Sequence, residues 1–336
     1  MPRGKRLLVT TAALAVGFPA GAAAETRIAY TSLANSSHVA VMKGDGSERA
    51  ALTSGAVNDV SPAWSPAGTR LVFVRRRANG SDDLLLVNGD GTGLRRLTRT
   101  AASEANPLWS PRGGRVAYER GRSFSSFEIV VQKADGTRRR QLTRNSVPDV
   151  EPAWSPGGDR IAFTRYARGT NPEIFVTRAD GTGMRRLTSN RVEDHHPVWS
   201  SQGKIAFVRR GANRSRLLLV NPDGSGLQTL WRRRGIGEAA WSPDGARLAV
   251  EVFDGEDSEI FVVRADGGAR RQLTDNAVDD FGPVWSPGAG RIAFTRFAAR
   301  SNDVWSMRSN GRDKRRLAGS GRHEAAFDWA TVPSGA

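Results

Sequence analysis

A chain of 336 residues is long for one ordinary domain, so it folds either as two domains or as one repeat architecture. It contains no cysteine, which excludes disulfides, a thiolate nucleophile and any cysteine-held metal. The formal net charge of +16 could draw an anionic partner; lysine, however, stands only at positions 5, 43, 133, 204 and 314, and a general preference for arginine produces the same excess.

Residues 1–24 read as a secretory leader, with Arg3, Lys5 and Arg6 at its start and an apolar run from Leu7 to Val16. Gly17, Pro19 and Gly21 break the run, and Ala22-Ala23-Ala24 offers a small-residue cleavage site before Glu25. The run is short for a bilayer span, and no later stretch is apolar enough to be one. A periplasmic or secreted protein, residues 25–336, with a charge of +13 is the expected product.

From Arg27 onward one unit repeats. Trp64, Trp109, Trp154, Trp199, Trp241, Trp285 and Trp329 recur at spacings of 45, 45, 45, 42, 44 and 44. The segment ending in Trp reads as a first strand, and Ser-Pro-x-Gly after it as a tight turn. A second strand of the Arg-Ile-Ala-Phe type begins at Arg27, Arg70, Arg115, Arg160, Lys204, Arg247 and Arg291. A third, of the Glu-Ile-Phe-Val type, covers Glu128–Val131, Glu173–Val176 and Glu259–Val262. Asp-Gly or Asn-Gly closes the next hairpin in every unit, and a fourth strand carries Arg-Arg-Leu-Thr or a relative of it.

Four strands in 40–45 residues is the period of a propeller blade, whose faces are buried only by stacking on neighbours. The chain starts at a second strand and ends at a Trp strand, so pairing Glu324–Ala330 with Arg27–Thr31 closes the ring. The expected fold is therefore an all-β, seven-bladed β-propeller of four-stranded antiparallel blades, with six blades and an unpaired remainder as the alternative. The repeated Pro-x-Trp-Ser-Pro-x-Gly, Ile-Ala-Phe, Ile-Phe-Val, Asp-Gly and Arg-x-Leu-Thr segments resemble the TolB-type repeat, a relative of the WD-repeat group, along the whole chain after the leader. That resemblance implies an exported bacterial propeller and, for many members, a protein-binding platform. The family's type has six blades and an α/β domain before them.

The residue five before each Trp falls where the inner strand leaves one mouth of the channel. These residues are Asp59, Glu104, Asp149, Asp194, Ile236, Asp280 and Glu324, with Glu238 near the one exception. They form a ring suited to a protein or peptide partner bearing Lys or Arg, or to a divalent cation such as calcium. Asp before such a strand can equally cap its own loop. His195, His196 and His323 belong to the same mouth, but neighbours on a strand point to opposite faces, which disfavours a His-centred metal site. No Gly-x-Ser-x-Gly elbow and no Asp-x-Asp-x-Asp-Gly calcium loop is present. The paired arginines of the fourth strands either guard an exposed edge or meet an anionic cell-envelope polymer, and without interleaved aromatics they do not suggest nucleic acid. The expectation is a monomeric, non-catalytic binding scaffold without a cofactor. A propeller enzyme, such as a metal-assisted lyase or hydrolase acting on a carbohydrate or lactone, is the alternative.

Overall fold

The second and third strands of each repeat are apolar on both faces. Residues Leu71–Val74 and Leu84–Val87, for instance, are all buried, as strands must be when sheets cover them on both sides. The computed structural model describes residues 25–33, 36–78, 80–166, 171–298, 301–319 and 323–333. The leader expected at residues 1–24 lies outside them.

The strands form seven four-stranded antiparallel sheets, each a meander whose first strand carries the repeat Trp. Blade 1 joins residues 323–332 to 25–33, 37–43 and 50–51. Blades 2 to 7 follow in order as residues 58–96, 103–141, 149–186, 193–233, 236–272 and 280–318. The Trp strands of successive blades pack together at six of the seven junctions, so they line the axis, and the fourth strands form the rim. Closure is antiparallel, with Ile28 opposite Trp329 and Thr31 opposite Ala325. Seven blades is therefore the count, and both chain ends share one of them.

Among the described residues no hydrophobic cluster surrounds the axis. The described residues form seven hydrophobic clusters, one at each junction between blades, including that between blades 7 and 1. The indole of each Trp reaches across its junction. Trp109, Trp154, Trp241 and Trp285 donate Nε1–H to the carbonyls of Ala63, Leu108, Val198 and Ala240 at 3.0–3.3 Å. Each acceptor directly precedes the Trp of the blade before. The Asp-Gly dipeptides are hairpin turns: Asp90 Oδ1 accepts from the backbone N–H of Thr92 at 2.9 Å and from its hydroxyl at 2.7 Å, and Gly91 takes a φ of 85°.

One feature is invisible in the repeat text. In blades 2 to 7 the inner strand has a register shift in the residues before its Trp. Ser61, Asn106, Glu151, His196 and Gly282 sit there with φ between 48° and 61°. A bulge with a left-handed residue re-aims the side chain and leaves backbone N–H groups that need partners from elsewhere.

Candidate channel-mouth site

The inner strands all run the same way, so the residues five before each Trp lie together at one mouth. Asp59, Glu104, Asp149, Asp194 and Asp280 are there, but each is 0% exposed. A carboxylate so buried needs a partner, and the residue directly opposite on the second strand supplies it. Arg75 grips Asp59 with Nε and Nη2 at 2.7 and 2.8 Å. Arg165 holds Asp149 at 2.6 and 2.7 Å, Arg209 holds Asp194 at 2.7 and 2.8 Å, and Arg296 holds Asp280 at 2.7 Å through both nitrogens. This is the two-pronged guanidinium–carboxylate fork. Glu104 is longer-coupled to Arg120, at 3.6 Å, and takes hydrogen bonds from Thr98 and Thr100. Its burial raises its pKa against those bonds.

The forks are tied into the junctions. Asn145 donates its backbone N–H to Glu128 of blade 3 at 2.7 Å and its side-chain amide to Asp149 of blade 4 at 2.7 Å. Asn190 links Glu173 to Asp194, and Asn276 links Glu259 to Asp280, in the same way. Burial, with Asp280 and Asp257 adding to it, pushes Glu259 up to about 7 against hydrogen bonds from Thr274 and Asn276.

The mouth thus differs from an open acidic ring. Its inner carboxylates face arginines, and what meets solvent is the half-buried guanidinium side of each pair. Capping by backbone N–H, the other role open to these aspartates, is replaced by the guanidinium. In blade 6 both partners change together: Ile236 stands opposite Val252. Glu238 is half-buried beside the bulge of that strand, and Glu324 is buried opposite Ser32 in the closing blade. The arginines were the residues that inspection of the acids alone missed. Their signal is a fixed offset, 16 residues after Asp59, Asp149 and Asp280 and 15 after Asp194.

The histidines behave unlike neighbours on a regular strand. The bulge at His196 breaks the alternation and brings the His195 and His196 rings to 5.9 Å. His195 Nδ1 lies 3.1 Å from the Tyr166 hydroxyl and its Nε2 lies 3.2 Å from Glu193. His196 Nδ1 is 3.2 Å from Glu151. Glu151 Oε2 accepts from the His196 backbone N–H at 2.8 Å and the Thr164 hydroxyl at 2.6 Å, and Glu119 accepts from the Glu151 N–H at 2.7 Å. These carboxylates satisfy the N–H groups that the bulges expose. Burial lowers the His196 pKa against the pull of Glu151, and burial raises Glu119 to about 7. His323, by contrast, lies exposed at the start of the closing strand, where its Nδ1 accepts from the Asn302 N–H. Among the described residues no three acidic or imidazole side chains are grouped so as to hold a metal ion.

Aromatic side chains edge the same mouth. Phe124, 49% exposed, meets Tyr166 edge-on at 5.3 Å, and Phe297 follows the Arg296 fork at the surface. At the rim, the fourth-strand arginines are mostly engaged within the molecule. Arg95 and Arg270 reach carbonyls of adjacent blades, at Ala134 and Leu230. Arg96, Arg186 and Arg316 pair with Asp83, Glu173 and Asp303.

Seven four-stranded blades, stitched by indole and guanidinium contacts and closed by strands from both ends, define a β-propeller. No protein-family model matches the chain. A stretch of 64 residues is 39% identical to the Tol-Pal system protein TolB of Thioalkalivibrio sulfidiphilus, spanning 19% of this chain and 15% of that protein. TolB from Acinetobacter baumannii superimposes with a TM-score of 0.61 at 17% identity, over 88% of this chain and 79% of that one. An oligogalacturonate lyase in complex with manganese gives 0.66 at 13% identity, over 89% and 84%. The fold is that of a β-propeller, and the repeat resembles the TolB type. Among the described residues no helix is long and apolar enough to cross a membrane.

Proposed function

We propose that the protein is a non-catalytic, exported scaffold that docks a protein or peptide partner on the channel mouth bounded by Asp59, Glu104, Asp149, Asp194, Glu238, Asp280 and Glu324. The carrying observation is the set of buried Asp–Arg forks. Carboxylates already neutralised by fixed guanidinium groups are poor general bases and poor metal ligands, yet they hold the mouth rigid. The groups around them at the surface, the half-buried arginines and Tyr166 and the exposed Phe124 and Phe297, are the residue types that anchor protein interfaces. The test is a photo-crosslinking residue placed at Phe124, and separately at Leu94 on the opposite side of a blade, in the producing cell. A discrete protein adduct from position 124 alone supports docking at the mouth. Adducts from neither, or equally from both, refute it.

A propeller enzyme is the second reading. The buried imidazoles of His195 and His196 beside Glu151 and Glu119 favour it, as does likeness to a lyase fold. Calorimetric titration with calcium and manganese, together with assays on acidic oligosaccharides and lactones, separates the two. Turnover that disappears in His196→Asn would replace the scaffold reading. The rim is a weaker place for an anionic polymer, because so many of its arginines bind inward.

A further inference from the structure

The opposite face of the ring carries a repeated arginine–tryptophan contact. Arg70, Arg115 and Arg247, each opening a second strand, lie over Trp109, Trp154 and Trp285 of the following blade, 5.3, 5.1 and 4.8 Å from the ring centroids. Two of these guanidinium groups also reach the next blade's turn. Arg115 Nη2 donates to the carbonyl of Gly158 at 2.5 Å, and Arg247 Nη2 to that of Ala289 at 3.1 Å. Both carbonyls stand four residues after the Trp. At two of these junctions the fold thus builds a guanidinium seat from an indole face and one turn carbonyl, and fills it from the preceding blade.

At the junction of blades 5 and 6 the filling residue is missing. The turn Ser200-Ser201-Gln202-Gly203 runs straight into Lys204, one residue shorter than Ser155-Pro156-Gly157-Gly158-Asp159 before Arg160. Lys204 is exposed. A cavity of about 340 Å³ opens here, within the range of small-ligand sites. Its lining includes Ser200, Gln202, Lys204, Trp241, Gly245 and Asp266. Gly245 stands four residues after Trp241, the counterpart of Gly158 and Ala289. Asp266 adds a carboxylate that holds Arg264 at 2.7 Å while more than half exposed, so an incoming cation can share it.

We propose that this cavity is a binding site for a guanidinium group supplied from outside, the arginine side chain of a peptide or protein. It lies away from the mouth and stands whether or not a partner docks there. Indole, carbonyl and carboxylate together suit a planar cation, and the preceding blade offers Lys204 in place of the arginine found at the other seats.

The experiment is calorimetric titration of the purified protein with acetyl-arginine amide, with acetyl-citrulline amide as the uncharged isostere. Two variants accompany it. Lys204→Arg fills the seat from within, and Lys204→Gln removes a like charge from its edge. Millimolar binding of the arginine compound, at least as tight in Lys204→Gln and weakened roughly tenfold in Lys204→Arg, is the expected result. Melting curves establish that both variants are folded. Should Lys204→Arg not fold, discrimination against citrulline in the protein and in Lys204→Gln still decides. Equal binding of the two compounds, no binding at tens of millimolar, or undiminished binding in folded Lys204→Arg overturns the proposal.

Discussion

Removing one member of a mouth fork separates a structural ion pair from an open acidic site. Asp59 and Arg75 are the cleanest pair, since Asp59 is fully buried and Arg75 is 24% exposed. Arg75→Val strands a carboxylate with no access to water, which costs about 3–5 kcal/mol. For a chain of this size that lowers the melting midpoint by roughly 5–10 °C. Asp59→Ile costs less, because the freed guanidinium can turn to solvent. The double variant copies blade 6, where Ile236 faces Val252, and should return to within about 1 kcal/mol of the parent. Urea and thermal unfolding of the four proteins give the coupling energy directly. If Arg75→Val costs less than about 1 kcal/mol, or the double variant is no better than the worse single one, the carboxylates are not held by the forks and the argument for a neutralised mouth fails.

Glu119→Gln tests the bulge network through pH. The Glu119 carboxyl is raised from 4.5 to about 7, so the folded chain binds a proton there that the unfolded chain has released. Its contribution is full below pH 4.5 and lost as pH rises through 7, about 3 kcal/mol in all. The variant should therefore gain on the parent between pH 4.5 and 7, and a constant difference across that window would refute the assignment. Gly68 has a φ of 64°, and a Cβ there would lie 2.0 Å from the Thr331 carbonyl oxygen of the closing strand. Gly68→Ala should cost about 3–5 kcal/mol by denaturant unfolding, against about 1–2 for Gly113→Ala, which has a similar φ and open space around it. A chain lacking residues 323–336 exposes the full edge of residues 25–33 and loses Asp328, whose Oδ2 accepts from the Trp64 N–H at 2.7 Å. It should elute as oligomers or aggregate, and a stable monomer would contradict closure by the terminal strand.

Much of this was legible in the residues alone. The Trp period, the Asp-Gly turns and the two-sided apolar strands required stacked four-stranded blades, because no single repeat can bury both its faces. A chain that opens on a second strand and ends on a first one required closure by pairing Arg27–Thr31 with Glu324–Ala330. Spacing along the chain also placed Asp59 and its counterparts at one mouth. It did not say that Arg75 and its counterparts lie opposite them, since cross-strand register depends on a turn and a bulge together. The bulge itself has little sequence signal: Ser61, Asn106, Glu151 and His196 share no chemistry, and Gly282 alone hints at a left-handed backbone. That bulge set His195 beside His196 and turned Glu119 and Glu151 into partners for backbone N–H groups of neighbouring blades. The seat over Trp241 likewise arises only when blades stack, because its indole and carbonyl belong to one blade and its missing arginine to the blade before. Repetition fixed which strands exist; the contacts between blades decided which charges are neutralised and which place is left open.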